Sequence, residues 1–87
     1  MISEAEARRI AETALAERGG GLVIMRTVEH DIGWEYRWQS REYVESGDDS
    51  VMLIGTAPIL VNRTDGSLIP TDIYRPIQFY IDRYEHR

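Results

Sequence analysis

The sequence predicts an α+β fold: an N-terminal helix packed on a single antiparallel sheet of about four strands, with a short C-terminal helix. Three observations carry that expectation. A capped amphipathic segment opens the chain. Trp34-Glu35-Tyr36-Arg37-Trp38-Gln39-Ser40 alternates aromatic and polar residues strictly. Two apolar runs, Ile59-Leu60-Val61 and Leu68-Ile69, flank an Asp65-Gly66 turn signal. At 87 residues, the chain suits one small domain, 1–87, with one core and a modest margin of stability.

Ser3-Glu4-Ala5-Glu6 has the capping-box pattern, so a helix starts there. Ala7, Ile10, Ala11, Ala14 and Leu15 then recur on one helical face, with Arg8, Arg9, Glu12, Glu17 and Arg18 largely on the other. The narrow stripe of small residues suits close packing on a sheet. Gly19-Gly20-Gly21 ends the helix. As a phosphate loop these glycines fail, because no strand precedes them and no Lys-Ser or Lys-Thr pair follows.

Leu22 to Glu29 reads as the first strand, with Leu22, Ile24 and Val28 on one alternating face and Val23, Met25 and Thr27 on the other. Either face can point inward. His30-Asp31-Ile32-Gly33 supplies turn chemistry before the aromatic strand. Trp34, Tyr36 and Trp38 share one face because successive strand side chains point to opposite sides. That face is either the core under the helix or a partly exposed recognition face. Arg41 to Ser50 is a polar, acidic loop with one helical turn around Ser40 to Val44.

Val51-Met52-Leu53-Ile54 opens the next strand, Gly55 and Pro58 mark a bulge, bend or edge position within it, and Ile59-Leu60-Val61 resumes it. The turn at Asp65-Gly66 is either a two-residue type I′ turn or a longer loop closed by Gly66 in the left-handed region. Ser67 to Thr71 forms the returning strand, interrupted by Pro70. From Pro76, Ile77, Tyr80, Ile81 and Tyr84 have helical spacing. A final strand is the competing reading, because Phe, Tyr and Ile also favour strands.

Composition narrows the function classes. The chain has no cysteine, which excludes disulfides, thiolate metal sites and thiol catalysis and fits a reducing compartment. A formal charge of −5 argues against a binder of nucleic-acid backbone. No leader or membrane-spanning run is apparent, so a cytoplasmic protein is expected. All ten basic residues are Arg, which fits a codon bias. Between Glu29 and Ser50, seven acids face two arginines, a local excess equal to the whole formal charge of −5. This stretch is either a solvated loop or an acidic docking surface for a basic partner.

No catalytic, cofactor or metal site is expected. His30 in a turn and His86 in a frayed tail have no metal-ligand spacing, and an exposed turn histidine explains His30. The carboxylate pairs Asp48/Asp49 and Glu42/Glu45 have no assignable pocket. Ser40, Ser46, Ser50 and Ser67 lack a nucleophile elbow or a histidine partner. Asp65-Gly66-Ser67 is a turn and does not complete an EF-hand loop.

The segments Gly33-Trp34-Glu35-Tyr36-Arg37-Trp38-Gln39-Ser40-Arg41-Glu42-Tyr43 and Gly55-Thr56-Ala57-Pro58-Ile59-Leu60-Val61 with Asp65-Gly66, and the Tyr80-Ile81 and Tyr84-Glu85 end, together resemble the YrhB-like immunity protein 35 family of bacterial polymorphic toxin systems. Thr56 and Ala57 stand where that family often has Asn or Gly. The resemblance covers nearly the whole chain. It implies a small cytoplasmic α+β protein that binds and neutralises a cognate toxin without catalysis, with a chaperone-like binder of unfolded chains as the alternative. Trp34, Trp38 and Tyr43 are the candidate anchors for a partner, and Glu42, Glu45, Asp48 and Asp49 the candidate steering charges. The edge near Pro58 or the returning strand leaves a homo-oligomer open.

Overall fold

The computed structural model describes residues 1–85, so the reading of His86 lies outside the described residues. Helix α1 (Glu4–Arg18) begins at its cap, where the Glu6 amide donates to Ser3 Oγ at 3.2 Å. Glu4 and Glu6 in the first turn and Arg18 in the last complement the helix dipole. Ala7, Ala11 and Leu15 are the buried stripe, and the two alanines let the helix axis approach the sheet.

Strands β1 (Leu22–Glu29), β2 (Gly33–Ser40), β3 (Ile59–Asn62) and β4 (Leu68–Ile69) form one antiparallel sheet in chain order. The β1–β2 register runs from Leu22 opposite Ser40 to Ile24 opposite Trp38, skips Met25, and resumes with Arg26 opposite Arg37. That bulge turns β1 over. Thr27 therefore lies opposite Tyr36, on the same side as Leu22 and Ile24, and Val28 faces away with Glu35. Strict alternation had put Thr27 and Val28 the other way round.

Trp34 and Tyr36 sit under α1 in a core with Ala7, Ala11, Leu15, Ile59 and Val61, and Trp38 packs against it half-buried. The aromatic strand is thus core rather than a recognition face. The Tyr36 hydroxyl donates to Glu4 Oε2 at 2.7 Å, tying the strand to the first turn of the helix. On the opposite face Leu60, Ile69 and Ile81 make a second cluster with Ile32, Ile77 and Tyr84. This cluster lies beneath α3 (Ile77–Glu85). The C-terminal segment is helical because Ile77, Ile81 and Tyr84 then all face Leu60 and Ile69, and Asn62 Nδ2 donates to the Tyr84 hydroxyl at 2.7 Å.

The β3–β4 turn is the longer loop. The Gly66 amide donates to the Asn62 carbonyl at 2.9 Å, and the Asn62 amide to the Ser67 carbonyl at 2.8 Å. Gly66 has φ 76°, and no other type of residue among those described has positive φ, so Asp65 does not meet the requirement of a type I′ turn. The mid-chain differs more from expectation. Helix α2 (Arg41–Ser46) extends past the single turn foreseen, and a 3₁₀ turn follows at Asp49–Val51. Val51 to Ile54 is not a strand, and β4 spans two residues rather than five.

Candidate functional site

β2 outlasts its partner. Its pairing with β3 ends at Tyr36 opposite Ile59, and beyond that point side chains replace the ladder. Trp38 Nε1 donates to the Ala57 carbonyl at 2.8 Å, and Ser40 Oγ donates to the Val51 carbonyl at 3.0 Å. Between them, Gln39 Nε2 donates to the Leu53 carbonyl and Gln39 Oε1 accepts from the Leu53 amide, both at 2.9 Å. Gln39 is buried, so these bonds form where water competes poorly. Three consecutive strand residues thereby hold residues 51–57 in place.

The held segment turns apolar side chains outward. Met52 and Leu53 are exposed, and Ile54 is 93% exposed. Ile73 lies beside Gly55, since a Cβ there would stand 3.7 Å from Ile73 Cδ1. Ile73 is also exposed, and its neighbour Tyr74 is 80% exposed. Single exposed apolar residues are ordinary, but Met52, Leu53 and Ile54 stand together on a backbone held by β2, with Ile73 alongside at Gly55, which makes this group a candidate contact surface.

Acids lead into this ridge. Glu42 and Glu45 lie on α2, Asp48 and Asp49 at the 3₁₀ turn, and all four are exposed. No basic residue stands between Glu42 and Ile54. Glu45 has Arg41 Nη1 at 4.0 Å, an exposed pair of little energetic weight. The Asp48 carboxyl caps the 3₁₀ turn by accepting from the Ser50 amide at 2.9 Å, a bond that favours its charged form and holds it below its ordinary value of 3.8.

Of the anchors expected from sequence, Trp34 is withdrawn: it is 5% exposed, and the Arg63 guanidinium covers its ring at 4.4 Å. Trp38 is half-buried, with Arg18 5.4 Å from its ring centroid and its indole N–H already used. Tyr43 is half-buried on α2, where its amide donates to Ser40 Oγ at 3.2 Å. The ridge itself went unforeseen, because Val51 to Ile54 read as strand. The signal was Gly55 and Pro58 close behind it, punctuation that prevents the run from continuing in register.

The model of the family described as Immunity protein 35 matches residues 5–79. The chain belongs to the Immunity protein 35 family. It is also 30% identical over 53 residues to a protein of Escherichia coli strain K12 named Uncharacterized protein YrhB, a match covering 61% of this chain and 56% of that one. The matched stretch thus spans little more than half the length of that curated relative. No solved structure matches the chain. Membership in an immunity-protein family suggests a toxin-neutralising role.

In this Immunity protein 35 member, His30, Glu35 and Arg37 form a compact titratable group at the β1–β2 turn and strand β2. His30 is half-buried rather than exposed, and its Nε2 lies 2.9 Å from Oε1 of Glu35, which is 2% exposed. Arg37 Nε approaches Glu35 Oε2 to 2.7 Å, yet its N–H is not aimed at that oxygen, which receives no aligned hydrogen bond. The contact is therefore chiefly electrostatic. The Glu35–Arg37 pair lies within the charge count of 29–50 and leaves its surplus unchanged, whereas Glu29 pairs at 2.8 Å with Arg63 from outside the stretch, so the surplus falls from five to four. A cleft of about 480 Å³ between α3 and the Pro70–Asp72 segment gathers Tyr80, Tyr84, Arg83 and Asp72, far in sequence from this cluster. Among the described residues no group of three or more His, Cys, Asp or Glu is placed to hold a metal ion, and no helix is long and apolar enough to cross a membrane.

Proposed function

We propose that this member of the Immunity protein 35 family neutralises a cognate protein toxin in the cytoplasm by binding it, without catalysing a reaction. The supporting observation is the fixed, exposed segment after α2, which offers acidic and apolar side chains in a family of immunity proteins. A rigid scaffold that presents side chains without reorganisation favours binding, because less conformational entropy is lost on association. The buried Glu35 carboxylate is engaged within the fold by the His30 ring and the Arg37 guanidinium, which favours an inhibitor over an enzyme.

The cognate toxin is taken to be encoded beside this chain, and the test is co-expression with that neighbour, followed by co-purification. Protection of the host together with a stable complex is the expected result. Loss of viability despite full expression of this protein, with no complex recovered, would reject the reading. The chaperone-like alternative is implied by the family resemblance and would have a second ground in an exposed aromatic strand. With Trp34 and Tyr36 in the core, that second ground is gone.

A further inference from the structure

Resting on that binding reading, we infer that the docking surface is the ridge formed by Met52, Leu53 and Ile54 with Ile73 and Tyr74. Its occupant is a protein surface carrying an apolar socket rimmed by Lys and Arg. The apolar half follows from exposure. Ile54 at 93% and Tyr74 at 80% contribute nothing to the core they border, and each presents a large side chain that association would remove from water. Ile54 projects from the residue next to Leu53, whose amide and carbonyl are both held by Gln39. The anchor is therefore set in place before a partner arrives.

The charge of the occupant follows from the rim. Along the chain, Glu42, Glu45, Asp48 and Asp49 lead into the ridge with no base between Glu42 and Ile54, and Asp72 precedes Ile73. In space, Arg18 lies over Trp38, whose indole holds Ala57 at the far end of the segment, away from the acids that precede Met52. Arg75, the base closest to Tyr74 in sequence, lies over the Phe79 ring, 5.1 Å from its centroid. Such a rim speeds the approach of a basic surface and penalises an acidic one. The same rim disfavours a second copy of this chain as the occupant, because a two-fold contact through one patch would set the acids against each other.

The experiment measures binding of the protein encoded beside this chain, purified in an inactivated form, to the wild type and three variants. Ile54→Asp and Tyr74→Ala change exposed side chains and should leave the thermal midpoint unmoved, and each should weaken binding at least about 30-fold, mainly through faster dissociation. A triple variant, Glu42→Gln, Glu45→Gln and Asp49→Asn, spares the Asp48 cap and should slow association about tenfold at low salt while flattening its salt dependence. If the wild type binds and both ridge variants bind equally well, the ridge is not the docking surface and the binding reading survives without it. If the triple variant associates as fast as the wild type, the basic rim assigned to the partner is wrong. If the wild type fails to bind, the binding reading falls and takes this inference with it. A wild type that dimerises in solution, with Ile54→Asp monomeric, would identify a second copy as the occupant and overturn the assignment.

Discussion

Gln39 satisfies both backbone groups of Leu53 with one side-chain amide, its nitrogen donating and its oxygen accepting at 2.9 Å each. The side chain imitates one rung of a sheet where β3 has already turned away. Gln39→Ala should cost about 1–3 kcal/mol, because it strands a part-buried amide and carbonyl as well as removing two bonds. Gln39→Glu keeps an acceptor for the Leu53 amide but faces the Leu53 carbonyl with a buried negative charge, so at neutral pH it should be no better than alanine. Urea unfolding of the three proteins checks the order, and a glutamate variant as stable as wild type would contradict it.

Arg63 reaches back across the sheet to close the β1–β2 turn. Its Nη2 donates to the His30 carbonyl and to Glu29 Oε2, both at 2.8 Å, and its guanidinium lies over Trp34. Glu29 is well exposed, so the ion pair adds little, and most of the effect comes from the carbonyl bond and the stacking. Arg63→Ala should lower stability by about 1.5–3 kcal/mol, whereas Glu29→Ala should cost under about 1 kcal/mol. For a domain of this size each kcal/mol moves the thermal midpoint by roughly 4–8 °C. Equal losses from the two substitutions would show that the ion pair carries the clasp.

The bond from Tyr36 to Glu4 is asymmetric, since Tyr36 is fully buried and Glu4 is exposed. Tyr36→Phe releases a carboxylate to water and should cost about 1 kcal/mol, while Glu4→Ala strands the buried hydroxyl and should cost about 1–3 kcal/mol. Burial first, and the Glu4 acceptor second, push the phenol well above its ordinary value of 10.0. The folded state therefore keeps this proton while the unfolded chain loses it. The contribution is full below pH 10.0 and is lost as pH rises past it, so Tyr36→Phe should flatten the alkaline fall in stability. Urea midpoints from pH 8 to 11 would show parallel curves for both proteins if this account is wrong.

Two glycines should respond unequally to alanine. A Cβ at Gly33, the first residue of the inner strand β2, would fall on the Val61 carbonyl oxygen, and Gly33→Ala should prevent folding or cost more than about 3 kcal/mol. At Gly66 the Cβ would meet Ile10 Cδ1 at 2.8 Å, the end of a side chain able to move, and φ 76° adds strain of about 1–2 kcal/mol. Gly66→Ala should therefore fold, with a lower thermal midpoint. Comparable melting of the two variants by circular dichroism would refute the distinction.

Local chemistry made much of this fold readable. The Ser3 cap, the stripe through Ala7, Ala11 and Leu15, and the face shared by Trp34 and Tyr36 each arise from residues close in sequence, and each stands where periodicity put it. What escaped depends on distant pairing. The bulge at Met25 is defined only by its register with β2, and it moves Thr27 to the helix side. His30, in the turn itself, meets Glu35 of β2 only once that turn closes. Val51 to Ile54 has the composition of a strand, yet it lies outside the sheet because Trp38, Gln39 and Ser40 hold this part of the chain by its backbone. The acids of the candidate surface were evident as a charge run, but its apolar ridge was hidden by that strand-like composition.

Amide hydrogen exchange at Leu53 in the free protein tests most directly whether β2 holds the ridge in advance of any partner. Protection matching that of the neighbouring β2 amides, lost in Gln39→Ala without loss of the β2 protection, is the predicted result. Exchange of Leu53 at the rate of an unstructured peptide in the wild type would contradict it.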